Sequence, residues 1–234
     1  VYKRQIENLN SFDYFLFELS SFQLELIDQF KPDIAVILNI SPTHMERYDS
    51  YEDYVQAKLN ITKNQDAEDL FLVCHELLET DTKATIEEIK SLEDYDFSKS
   101  KLLGEHMKES FFVVEKVLDR LEINKVKYVM QSFISDFPGV KFRLQYIGTL
   151  KGVDFYNDAK STNTASTIAA LNSFKNKNVG LILGGKLRDE TQDFIAGFKK
   201  SECSISLFLF GESREYLRDQ LDDSFQVSVK EKLE

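Results

Sequence analysis

Short apolar runs and helical stripes alternate along most of the chain. Residues 13–19 (DYFLFEL), 34–40 (IAVILNI) and 70–74 (LFLVC) are runs of the kind that form strands covered on both faces. Ser20 or Ser21 can cap a helix after the first run, and Pro32 ends it. Between the second and third runs, Tyr51, Tyr54, Val55, Lys58 and Leu59 follow the i, i+3, i+4, i+7, i+8 spacing of a buried helical face. The order βαβαβ predicts an α/β fold with a parallel sheet and covering helices.

Residues 75–103 are charged and weakly patterned, and read as surface connections with helical potential around 84–92. A long amphipathic helix is expected from Glu105, with Phe111, Phe112, Val114, Val117, Leu118 and Leu121 as its apolar content, and a second over 126–137. Pro138-Gly139 breaks the pattern, which sets expected domains of 1–139 and 140–234. Beyond it the spacing predicts strands over 142–147 and 153–157 about a turn at 148–152. A helix over 164–174, the strand VGLILGG, a helix over 191–200, the strand SISLFLF, a helix over 214–221 and a strand near Val227 complete the pattern.

The 234 residues, 42% of them hydrophobic, suffice for two modest cores. A net charge of −11 and the lack of any long basic cluster argue against a nucleic-acid partner, although local cations can still serve an anion site. No apolar run approaches the ~18 residues that span a bilayer, so no membrane association is expected. The amino terminus has no signal-peptide core, and Cys74 and Cys203 lie far apart, which suggests a reducing cytoplasm. A start without Met, on a charged stretch leading straight into a strand, suggests a fragment.

Three polar clusters fall at predicted strand ends, where open α/β sheets bind ligands. In the first, Glu18 could reach a metal and Ser20 an anion, while the serines could equally serve only as caps. The second contains Asn39, Thr43, His44 and Lys58. A buried ammonium is costly unless paired, neutralised or altered, yet a lone lysine can also snorkel to water. With Glu18 these groups would form a divalent-cation site if Lys58 were carbamylated. The third cluster, Asn157 to Asn163, ends a strand and opens a helix, where free N–H groups and Lys160 could hold a phosphate or carboxylate. Gly184-Gly185-Lys186-Leu187-Arg188 adds two cations beside a flexible turn.

ELSSFQLE at 18–25, ILNISPTHMERY at 37–48, AKLNI at 57–61, NDAKSTN at 157–163 and LILGG at 181–185 resemble, in order and spacing, the Mur ligases, and among them the members that add D-glutamate. The resemblance covers nearly the whole chain. It implies a parallel-sheet part of a central ATP-binding domain followed by a Rossmann-like α/β carboxyl-terminal domain. The implied activity is ATP-dependent amide ligation through an acyl phosphate, joining D-glutamate to UDP-N-acetylmuramoyl-L-alanine in peptidoglycan synthesis. The implied cofactors are ATP and Mg2+, in a cytoplasmic and monomeric enzyme. By matching position, Glu18, His44 and a carbamylated Lys58 are implied as metal ligands, with Lys58, His44 and Lys160 catalytic. Arg143, Asn157 and Asp158 are implied at the nucleotide, and Ser20, Gln23, Thr162 and Arg188 at the substrates.

Two departures qualify the resemblance. Met107 and Ser110 stand where the family usually has asparagines near adenine, and no G-x-x-x-x-G-K-[ST] phosphate loop occurs in the sequence. The chain alone is therefore expected to be inactive. The alternatives are another Mur or folylpolyglutamate-type ligase and a non-catalytic module that keeps the fold.

Overall fold

The computed structural model describes residues 12–43, 45–104, 106–186 and 191–231, with the side chains of 191–193 excepted. The chain forms two compact units, residues 1–88 and 89–234.

The first unit is built around a three-stranded parallel sheet in the order β1 (Ile34–Ile37), β2 (Leu70–Val73), β3 (Thr85–Glu88). All four residues of β2 are buried, as a central strand covered on both faces requires. A parallel pair needs a crossover, and α2 (Tyr51–Leu59) lies in the one between β1 and β2. Ser50 caps α2 by accepting the Asp53 N–H at 3.1 Å, and Glu52 and Asp53 favour the positive end of the helix dipole. Val55 and Leu59 of α2 then pack on Ala35, Ile37, Phe71 and Val73. Where the strands begin, the Gln65 amide donates to the carbonyls of Pro32 (2.9 Å) and Leu70 (3.3 Å). A four-residue helix, α1 (Ser21–Leu24), precedes the sheet.

Two expectations for this unit are corrected. Residues 13–19 form no strand: the segment joins no ladder among the described residues, and Leu16 is 100% exposed. An apolar run becomes a covered strand only where neighbours cover it, and no described residue buries Leu16. Residues 84–92 hold β3 instead of a helix. Pairing Thr85 and Ile86 with the fully buried β2 outweighs the helix propensity of the glutamates beside them.

The second unit opens with two packed helices, α3 (His106–Arg120) and α4 (Val126–Asp136), whose Phe111, Phe112, Met130 and Ile134 enclose Leu92 and Tyr95. Those last two residues lie in the stretch read as surface connection, and both are less than a tenth exposed. The helical pair groups with the strands and helices C-terminal to it, so the units divide in sequence before the Pro138-Gly139 break. A Cβ built on Gly104, just ahead of α3, would stand 2.5 Å from the Ser173 hydroxyl oxygen.

Next comes an antiparallel hairpin, β4 (Gln145–Leu150) and β5 (Val153–Asn157). Its turn is only Lys151-Gly152, both with positive φ, the loop that matches strand twist. The broader turn expected over 148–152 contracts because Gly148, Thr149 and Leu150 pair with Phe155, Asp154 and Val153, after a register shift that leaves Ile147 unpaired. The strand also starts at Gln145, three residues later than expected, since Phe142 and Leu144 have positive φ.

The rest is α5 (Thr164–Asn172), β6 (Asn178–Gly184), α6 (Thr191–Lys200), β7 (Ser204–Phe210), α7 (Arg214–Gln220) and β8 (Gln226–Val229), with the strands parallel in the order β6-β7-β8. Leu171, Phe194, Phe198, Leu207, Leu209 and Leu217 form their core. Helices α5 and α6 approach so closely that a Cβ on Gly197 would fall 2.0 Å from Cδ1 of Ile168. No helix among the described residues is long and apolar enough to cross a membrane.

Truncating the fully buried Phe71 to Ala should cost about 3–5 kcal/mol in urea unfolding. Leu16→Ala should stay within about 0.5 kcal/mol of the parent, and a core-sized loss there would show that residues 13–19 are covered.

Candidate functional site

Lys58 lies one turn beyond Tyr54 on α2, with its amine 5.9 Å from the Tyr54 ring centroid. Burial pushes its ammonium below the ordinary lysine value, and the Glu18 charge opposes that push. The first unit thus brings Glu18 and Lys58 into electrostatic reach, while Glu18 itself is exposed. Asn39, past the end of β1, is exposed as well. Thr43 bonds the Tyr54 hydroxyl and donates to the Ser41 carbonyl at 3.4 Å. His44 lies outside the described residues.

Ser20 and Gln23 form a capping box. The Gln23 N–H donates to the Ser20 hydroxyl at 3.3 Å, and the Gln23 carboxamide oxygen accepts from the Ser20 N–H at 2.9 Å. Both side chains therefore hold the start of α1, as the capping alternative had it. Both are also exposed, so a ligand can still reach them.

The described residues assemble no group of three or more His, Cys, Asp or Glu side chains that could hold a metal ion. Among the described residues Glu18 is the carboxylate whose charge acts on Lys58, and magnesium prefers an all-oxygen shell. A carbamate on Lys58 would add two oxygens to those of Glu18, the donor type that magnesium prefers. Only a neutral amine takes up carbon dioxide, and desolvation moves Lys58 toward that form.

In the second unit, the loop after β5 is tied to the turn before β4. Asp158 accepts the Leu144 N–H at 2.7 Å with one carboxylate oxygen and the Ser161 hydroxyl with the other. The Lys160 N–H donates to the Phe142 carbonyl at 3.0 Å, and Asn157 accepts the Ala159 N–H at 3.1 Å. Between the two anchored residues, Arg143 presents an exposed side chain. Phe142 (φ 66°) and Leu144 (φ 44°) are bulky residues in the left-handed region, each at a cost of about 1–3 kcal/mol.

Thr162 and Lys160 are exposed, and Asn163 caps α5 by accepting the Ser166 N–H at 2.8 Å. The structure therefore gathers Arg143, Asn157, Asp158, Lys160 and Thr162 in one loop pair. Arg188 lies outside the described residues. The Gly185 carbonyl just ahead is held by both the N–H (3.0 Å) and the hydroxyl (2.9 Å) of Ser213.

Sequence reasoning includes Ser161 in a polar cluster without giving it a role, and passes over Ser213. The first has a readable signal, since a hydroxyl three residues after an aspartate is a common local bonding pattern. The second has none, because its bond spans 28 positions.

Residues 3–84 match the Mur ligase middle domain family. The chain is 34% identical over 228 residues to a UDP-N-acetylmuramoylalanine–D-glutamate ligase of Francisella philomiragia, covering 93% of this chain and 53% of that protein. To the enzyme of the same name from Streptococcus agalactiae it is 37% identical over 220 residues, covering 83% of this chain and 49% of that one. The chain thus spans about half the length of the curated relatives it matches. Among solved structures, MurF of Acinetobacter baumannii superposes with a TM-score of 0.59 at 14% identity over 88% of this chain and 52% of that one. MurF of Thermotoga maritima, solved with ADP, superposes with a TM-score of 0.56 at 15% identity over 85% of this chain and 58% of that one. The two MurF structures speak for the fold alone, the α/β architecture of this family. Residues 3–84 thus carry the Mur ligase middle domain, and across both units the chain is similar to Mur ligases that are named for adding D-glutamate.

Proposed function

We propose that this chain is part of an ATP-dependent, cytoplasmic amide ligase that joins D-glutamate to UDP-N-acetylmuramoyl-L-alanine in peptidoglycan synthesis. The observation that carries the reading is Lys58, a lysine desolvated on the sheet-covering helix and opposed by Glu18, in a chain whose relatives are named for that reaction. In the first step a substrate carboxylate oxygen bonds to the γ-phosphorus as the bond to the bridging oxygen breaks and ADP leaves. The neutral amine of D-glutamate then attacks the acyl carbon and loses a proton. Collapse of the tetrahedral adduct breaks the C–O bond and releases phosphate.

The carbamate of Lys58, with Glu18 and His44, would hold magnesium, which when bound offsets phosphate charge. Arg143 is read as facing the nucleotide phosphates, with Asn157 and Asp158 beside the nucleotide. Lys160 and Thr162 are read at the acyl phosphate and amino acid, where a cation stabilises developing negative charge. Ser20 and Gln23 are read at the phosphates and the muramoyl substrate, and Arg188 at the incoming amino acid, as the family resemblance implies.

One observation favours a second reading, a module that keeps the fold without the chemistry. Met107 packs into the helical core and Ser110 bonds back to the His106 carbonyl, so both positions serve the fold where the family usually has polar contacts to adenine. ATP–magnesium titrated into the 234-residue chain should bind with Kd on the order of 1 mM or weaker, and micromolar binding would contradict the view that its nucleotide site is partial.

In protein expressed from the complete open reading frame, ADP release should depend on D-glutamate above other amino acids. Preference for a different acceptor would assign another ligase, and no turnover with any acceptor would favour the module. Lys58→Arg should lower kcat by on the order of 10²–10³ and remove the carbamate carbon signal seen with labelled bicarbonate. Because burial lowers the Lys58 value, the carbamate should form at a pH below that needed by an ordinary lysine and be lost on acidification. Activity should fall with it. Lys58→Met, which removes a desolvated charge, should leave Tm unchanged or raised while abolishing turnover.

A further inference from the structure

We propose that Asp158 and Ser161 are positioning residues that aim Arg143, through a clamp on the turn that carries it. The inference rests on the reading that Arg143 faces nucleotide phosphate. Two bulky residues with positive φ, Phe142 and Leu144, flank Arg143, a backbone that persists only where its surroundings dictate it. The surroundings are specific. The Leu144 N–H goes to one oxygen of Asp158, the Phe142 carbonyl to the Lys160 N–H, and the Phe142 N–H to the Gln145 carboxamide oxygen at 3.1 Å. The Arg143 N–H donates to the Val140 carbonyl at 3.2 Å.

The second oxygen of Asp158 accepts the Ser161 hydroxyl, and the Ser161 N–H donates to the Asp158 carbonyl at 2.9 Å. Ser161 thereby fixes the carboxylate plane, and the carboxylate fixes the peptide after Arg143. A guanidinium recognises phosphate through a rigid fork, so a small rotation of its backbone misplaces both bonds. Asp158 acts here through Leu144, and Ser161 acts through Asp158.

The test uses two preparations. In protein from the complete open reading frame, Ser161→Ala should raise KM for ATP about fivefold with kcat within about twofold, and Ser161→Thr, which keeps the hydroxyl, should restore it. Asp158→Asn should raise KM about tenfold or more, equally for ATP and 2′-deoxy-ATP. In the 234-residue chain, exchange of the Leu144 amide should quicken about tenfold in Asp158→Asn and by a smaller factor in Ser161→Ala, with the melting curve unchanged.

A rise in KM for ATP but not for 2′-deoxy-ATP would show a direct ribose contact and overturn the clamp, as would an unaltered Leu144 amide. An unchanged KM in Arg143→Ala would instead overturn the phosphate reading of Arg143, while Leu144 exchange would still report on the clamp.

Discussion

A strand buried on both faces fixes the first unit. Leu70–Val73 can sit only at the centre of a sheet, with β1 and β3 bonded to its two edges and apolar groups above and below. Because the pair with β1 is parallel, the intervening chain must cross over, and the α2 stripe supplies the cover. Lys58 is on that helix. Its desolvation is thus a by-product of closing the sheet, and the same packing that makes the ammonium unfavourable makes the neutral amine accessible for chemistry.

The second unit places its polar groups by another route. No burial forces Arg143 into position; the side chain is exposed, and its direction comes from a backbone bent against its own preference and tied down by hydrogen bonds. One unit therefore perturbs a side chain by removing water and the other perturbs a backbone by geometry. Sites that break a local rule in this way are where function is expected to concentrate.

How far the sequence can be read depends on the range of the forces involved. Strands β1, β2, β6 and β7 are legible because each is an apolar run bounded by turn residues, and α3 and α6 because their apolar stripes repeat at helical spacing. Thr85–Glu88 misleads because its local composition favours helix and only its neighbour β2 makes it a strand. Residues 13–19 mislead for the opposite reason: the local pattern is that of a strand, and no strand pairs with it among the described residues. At the candidate site the residue types are visible and their engagement is not. Nothing in the sequence shows that both oxygens of Asp158 are taken up within the protein, or that Ser20 and Gln23 bond to each other before any ligand arrives.

The contact between α5 and α6 bears on how this chain can drift over generations. A methyl group on Gly197 would meet the end of the Ile168 side chain, so 197 gains a side chain only if Ile168 shifts or shrinks. A side chain at 197 becomes tolerable once 168 has shrunk, and an enlarged 168 demands that 197 remain glycine. The two positions, 29 residues apart, form one unit of inheritance, and relatives that have lost the glycine should have paired the loss with a smaller partner across the helices.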